Sequence, residues 1–339
     1  MKLLLTRFRG VVRRSALRVL LTPFESWVLR TVKSRFQFEL EALYWGLQLN
    51  RSEGIEYNFR RNIHRLEKGL SHKARRKTFA ESYVLETVEL LEKDFEHSVF
   101  SENTRIWGTS VLSTYFNSSE PTPQTAEARA RFYKLITSQS VAEWVPYPIH
   151  KRPPLSVTYD QFMQLCLRRR SVRFFENRAV ESGLIEKAMC AAAQSPSACN
   201  RQSFKYLFFN QPDMVRKIAE VPGGVQGYDI PSVAVILGSY RGYFDGRDVN
   251  APIIDASLAA MAFLFALETL GLSSVCINWP SIPGKDRKIR EIISLEKDEF
   301  VIMLIGIGYP STDAIIPFSA KRPISELLLI NERIRTLHQ

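Results

Sequence analysis

At 339 residues, 45% of them hydrophobic and 24% charged, the chain is long enough for two domains of ordinary size, and its balance excludes a fibre or a disordered polymer. The formal net charge of +11 suggests an anionic partner. Cys166, Cys190, Cys199 and Cys276 show neither CxxC nor Cys/His spacing, which argues against a disulfide framework and a metal site and suits a reducing cytoplasm.

Residues 1–40 interleave Leu3, Leu4, Val11, Val12, Leu17, Leu20 and Leu21 with Arg7, Arg9, Arg13, Arg14 and Arg18. This is a basic amphipathic segment, suited either to an anionic membrane surface or to packing on the rest of the protein with its arginines solvated. Its short leucine run is broken by Arg7, so no secretory signal is expected. Residues 41–141 form a helical region, with apolar side chains recurring at three and four, as in Tyr83, Leu85, Val88, Leu90, Leu91 and Phe95. Within it the run Arg60 to Leu70 is densely basic, and Gly69 reads as the residue just past a helix C-terminus. His64 and Glu67 belong either to that helix end or to a polar lining over the pocket of a second domain. Pro146, Pro148, Pro153 and Pro154 then mark a linker over 142–157.

From 158 to 339 helical patterns alternate with β-branched runs. Helices are predicted over 158–170, 181–194, 211–220, 252–270 and 285–294, and strands over 204–209, 233–238, 273–278 and 300–307. This order describes an α/β or α+β domain around a central sheet. The apolar run Ala256 to Leu267 falls short of the approximately 20 residues that span a bilayer and reads as a buried helix.

The first of these helices opens with Thr158 and Gln161 in capping-box spacing and runs out into Arg168, Arg169, Arg170, Ser171 and Arg173. Guanidinium groups packed this densely repel one another unless an anion sits among them, and a phosphate matches their forked donors. Taken alone, the run is equally a solvated helix end. It is followed by a helix, by Pro196-Ser197-Ala198-Cys199-Asn200-Arg201-Gln202, and by a strand. Further on come Asp255 leading a long Ala-rich helix to Leu270-Gly271-Leu272, the strand Val275 to Trp279, the strand ending Ile305 to Pro310, and a tail with Lys321-Arg322-Pro323.

In this order the motifs resemble the nitroreductase family over about residues 158–330. The resemblance implies an α+β fold, a nitroreductase-like central sheet flanked by helices, here preceded by a mostly helical N-terminal region. It also implies a homodimer that binds FMN and takes electrons from NAD(P)H for a small-molecule acceptor. Arg169, Arg170 and Ser171 would hold the FMN phosphate, with Lys321 or Arg322 returning from the tail, and Arg173 would approach the flavin pyrimidine. Pro196, Ser197, Ala198 and Asn200 would line the ring, partly across the dimer interface. Asn278 and Trp279 match the strand-end pair near the reactive edge, and Gln226 is a further candidate for the pyrimidine. Trp279 stands where many relatives have Gly, and Asn278 where many have an acid, which bears on access to the ring. The flavin carries the chemistry, so no catalytic side chain is assigned. The alternatives are a flavin-dependent tailoring enzyme, or a non-catalytic scaffold of this fold whose N-terminal half binds a membrane surface or protein partner. Nucleic acid is not expected, since no aromatic platform or groove-reading module accompanies the charge.

Overall fold

The computed structural model describes residues 40, 43–48, 53–136, 144–243, 246–280 and 282–331. The basic segment expected over residues 1–40 lies almost wholly outside the described residues.

Among the described residues, the N-terminal unit is built on α1 (Ile55–Leu70), α2 (Val84–His97), α3 (Glu102–Ser118) and α4 (Pro123–Leu135). Helix α1 presents Phe59, Ile63 and Leu66, spaced four and three apart, to a core completed by Val88, Leu91, Leu112, Tyr115, Phe116 and Phe132. Backbone chemistry closes the turns. Ser98 ends α2 in a left-handed conformation, the buried Asp94 accepts from the Phe100 amide at 2.7 Å and from Arg105 at 2.5 Å, and Ser101 caps α3. Gly69 is not past the end of α1, as its sequence context suggests, but inside the helix. A Cβ there would run into the ring of Phe79, so the glycine serves close packing, and Ser71 is the C-cap.

The described part of the linker, residues 144–157, is irregular apart from one helical turn at Ile149–Lys151. Thr158 and Gln161 then form the expected capping box at the start of α5 (Tyr159–Arg168). The following elements are α6 (Ser182–Ala192), β1 (Phe204–Phe209), α7 (Pro212–Ala219), β2 (Ser232–Ser239), α8 (Ala251–Thr269), β3 (Ser273–Asn278), α9 (Pro283–Ile292), β4 (Glu299–Gly308) and the short α10 (Ile324–Leu327). Helix α9 starts two residues earlier than its periodicity suggests, because Pro283 takes the first-turn position, where its missing N–H costs nothing.

The strands form one antiparallel sheet in the order β1-β2-β4-β3. Alternation along the strands divides the core into two layers. Val233, Val235, Leu237, Val275, Ile277 and Leu304 pack with α7 and α9 on one face. Ala234, Ile236, Ile305 and Ile307 meet α6 and α8 on the other. This α+β arrangement leaves β1 and β3 as opposite edges. Helix α8 is long and apolar enough to cross a membrane by composition, but half of its most apolar stretch is buried in this second layer.

Among the described residues, the N-terminal unit docks on the sheet domain through several contacts. Leu43 packs on the stacked rings of Tyr240 and Phe300. Glu53 pairs with Arg241 at 2.6 Å, and Arg241 also holds the fully buried Asp298 at 2.9 Å. Arg60 of α1 reaches the loop before β1.

Candidate functional site

The arginine turn is built by the end of α5. After Arg168 the chain becomes extended, Ser171 pairs with Ser274 on the edge strand β3, and the Val172 amide donates to the Ser274 carbonyl at 3.0 Å. This pairing seats half-buried Arg169, Arg170, Ser171 and Arg173 along β3. Arg168 reaches Glu268 at the end of α8 at 3.4 Å. Burial pushes the Glu268 carboxyl above its usual range, partly countered by Arg168 and Arg169. Arg169 also lies within electrostatic reach of Cys276 in mid-β3.

Beside this turn is a pocket of about 290 Å³ lined by Arg173, Gly223, Gly224, Tyr228, Cys276 and Asn278, among others. Arg173 is held in its wall by donating Nε to the Tyr228 hydroxyl at 3.0 Å and Nη1 to the Ser171 carbonyl at 3.2 Å. Gly223 and Gly224 have φ of +83° and +79°, and positions where their Cβ atoms would stand face open space. The backbone here can therefore approach a planar ligand closely. Sequence reasoning missed Gly223, Gly224, Tyr228 and Cys276 as lining residues. The Pro-Gly-Gly sequence between α7 and β2 was the available signal for the first two.

The expected residues do not all meet in this pocket. Arg173 and Asn278 line it, with Arg169, Arg170 and Ser171 on the adjoining turn. Gln226 is exposed, one residue beyond the lining Val225. Trp279 faces the other way. Its indole is buried with Val275 and Ile277, which share its parity along β3, and donates to Asp286 at 2.8 Å. The bulky indole thus fills the core between the sheet and α9, not the pocket. Lys321 and Arg322 are exposed on the tail, where Arg322 pairs with Glu326 at 2.8 Å.

Pro196, Ser197, Ala198 and Asn200 form a separate cluster. Their loop leads into β1, across the sheet from β3. Both carboxylate oxygens of Asp255 accept from the Ala198 amide, at 3.0 and 2.9 Å, and one accepts from the Tyr243 hydroxyl at 2.8 Å. Burial raises the Asp255 carboxyl, opposed by these bonds. Asp255 lies near the start of α8 and Glu268 near its end, about 20 Å apart at 1.5 Å per residue. The two halves of the expected site therefore sit at opposite ends of one helix. His64 and Glu67, weighed as a pocket lining, are built into the N-terminal bundle, where Glu67 accepts from the Trp107 indole at 2.9 Å and lies 3.7 Å from His64.

Comparison with known proteins covers the same part of the chain. Residues 167–226 and 226–309 match the Nitroreductase family model. A protein of Methanothermobacter thermautotrophicus that carries the name NADH dehydrogenase/NAD(P)H nitroreductase is 30% identical over 145 residues, 42% of this chain and 74% of that protein. Iodotyrosine deiodinase 1 of Sus scrofa is 22% identical over 224 residues, 57% of this chain and 76% of the relative. Among solved structures, an FMN-dependent nitroreductase from Clostridium difficile aligns at a TM-score of 0.43 with 20% identity, over 50% of this chain and 98% of that one. The matches lend no support to membrane association. With the arginine turn, the edge strand and the Pro-Ser-x-x-Asn loop in family order on an antiparallel sheet, and with a 30% identical relative matched over most of its length, this chain belongs to the nitroreductase family of oxidoreductases.

Proposed function

We propose that the protein is an FMN-dependent oxidoreductase that takes electrons from NAD(P)H and delivers them to a small-molecule acceptor. The observation that carries this reading is the junction of the arginine turn with the β3 pocket. The residues there fit FMN: the guanidinium groups of Arg169 and Arg170 with the Ser171 hydroxyl match one terminal phosphate, and the Gly223–Gly224 backbone admits a flat ring beside Arg173 and Asn278. Bound there, FMN would supply ping-pong hydride-transfer chemistry between NAD(P)H and the acceptor. The chain's own residues bind and orient. Arg173, fixed by Tyr228 and the Ser171 carbonyl, keeps a positive charge at the pocket wall and favours negative charge developing beside it.

The same reading requires a second copy of the chain. The loop Pro196–Asn200 is held at the far end of α8 from the arginine turn, so it reaches a ring only in a partner's pocket. Helix α8 leaves Ile253, Ile254, Leu258 and Met261 exposed, 40 to 56% each, and the tail exposes Ile315, Phe318 and Ile324, a combined apolar surface that suits an isologous dimer. Proteins similar to this chain are named for nitro reduction and for deiodination, two different acceptor chemistries.

The test is the absorbance spectrum of the purified protein, mass identification of the ligand released on denaturation, and sedimentation of the loaded form. FMN and a dimer are expected. A colourless protein that cannot be reconstituted with FMN refutes the enzymatic reading, and a flavin-loaded monomer at micromolar concentration refutes the shared site.

A further inference from the structure

The N-terminal helical unit lies outside the residues matched to the family, yet it grips the loop that the proposed function puts against the flavin. In that loop Cys199, Asn200 and Gln202 have φ of 53°, 52° and 53°. Left-handed backbone is disfavoured for residues with a Cβ, and a group of such residues persists only where the surroundings over-determine it. The sheet domain holds the first half of the loop through Asp255 and the Ala198 amide, and the loop braces itself through the Gln202 amide and the Ser197 hydroxyl at 3.1 Å. The second half is held from two sides: Gln202 donates Nε2 to the Ala193 carbonyl at 3.1 Å, and α1 supplies the rest. Arg60 donates Nε to the Asn200 carbonyl at 2.9 Å and Nη2 to the Gln202 side-chain oxygen at 3.1 Å. Its remaining nitrogen, Nη1, donates to Thr104 on α3 at 2.7 Å, and its guanidinium lies 5.1 Å from the centre of the Trp107 ring. The fork is thus fixed in direction by α3 before it meets the loop.

We propose that Arg60 is a positioning residue of the flavin site, and that the N-terminal helical unit is a working part of that site because it sets the conformation of the loop Cys199–Gln202. The inference rests on the reading that this loop lines the flavin. A planar, three-way donor is what the geometry uses, because Arg60 bridges a carbonyl, an amide oxygen and a hydroxyl on two different elements at once. Lysine has the charge but not the fork.

The experiment uses the full chain with Arg60→Ala, Arg60→Lys and, as a control on the bundle's far side, Arg131→Ala, which breaks the contacts between α4 and the glutamates Glu89 and Glu92 of α2. FMN affinity, the flavin midpoint potential and the position of the visible absorption band are measured for each. Arg60→Ala is expected to weaken FMN binding roughly tenfold or more, the loss of charge-assisted hydrogen bonds, and to shift the band and the potential. Arg60→Lys should fall between it and the parent, and Arg131→Ala should match the parent in all three. Should Arg60→Ala fail to fold, Gln202→Leu, which removes the Nη2 acceptor together with the Gln202 bond to the Ala193 carbonyl, is compared with Gln202→Glu, which keeps that acceptor and loses only the Ala193 bond; the Leu variant should bind FMN more weakly than the Glu variant. Parental affinity, spectrum and potential in folded Arg60→Ala, or equal FMN affinity in Gln202→Leu and Gln202→Glu, overturn the inference while leaving the flavin reading intact. A parent chain that takes up no FMN overturns the reading, and the inference with it.

Discussion

Arg173 gives the sharpest test of the pocket. It is half-buried and held by two hydrogen bonds, to the Tyr228 hydroxyl at 3.0 Å and the Ser171 carbonyl at 3.2 Å, so its removal should leave the fold intact while deleting the charge from the pocket wall. A charge-assisted hydrogen bond contributes about 1.5 to 3 kcal/mol, so Arg173→Ala should weaken FMN binding by roughly tenfold to 150-fold. Tyr228→Phe keeps the charge but frees its aim. The lost bond is worth about 0.5 to 1.5 kcal/mol, which predicts at most roughly a tenfold effect. Because the tyrosine acts through the arginine, the double variant should bind little worse than Arg173→Ala alone, a coupling that a double-mutant cycle measures directly. Adding Arg169→Ala to Arg173→Ala should strip FMN during purification. Isothermal titration of FMN into the apoprotein reads all of these, with thermal unfolding as the check on folding. Unchanged affinity in Arg173→Ala, or a larger loss in Tyr228→Phe than in Arg173→Ala, would show that the ligand is not held at this wall.

Two further outcomes are expected. Gly223→Ala should lower stability by about 1 kcal/mol or more from backbone strain alone, since φ is +83° and nothing crowds the added methyl, and urea unfolding at parental stability would refute the left-handed turn. Asp298 should contribute to acid sensitivity. Burial pushes its carboxyl up, but the hydrogen bonds from Ser239 and Arg241 outweigh burial and hold it below its usual range. A carboxyl depressed in the folded state adds stability that is complete above its unfolded value of about 3.9 and is lost as pH falls through the folded value. Arg241→Ala, which removes that partner, should therefore flatten the acid limb of the stability profile below about pH 4 relative to the parent. An acid limb of unchanged steepness refutes the assignment.

Local pattern alone determined a good deal about this protein. The strands over 204–209 and 273–278, the capping box at Thr158, the arginine turn and the order of motifs are all legible because each depends on neighbours a few residues away. Even the direction of Trp279 follows from its parity with Val275 and Ile277 once the strand is placed. Other features depend on what packing brings together from far along the chain. Gly69 looks like a helix terminator until the Phe79 ring is found against it. Tyr228 becomes the partner of Arg173 across 55 residues, and Arg60 the partner of Asn200 across 140. The separation of the two site halves by the length of α8 is likewise a tertiary fact, because nothing in either motif records how far apart Asp255 and Glu268 hold them. Sequence periodicity reports which face of an element is apolar. Which other element covers that face, and which polar groups are paired as a result, is decided only when the whole chain minimises its buried unpaired groups together.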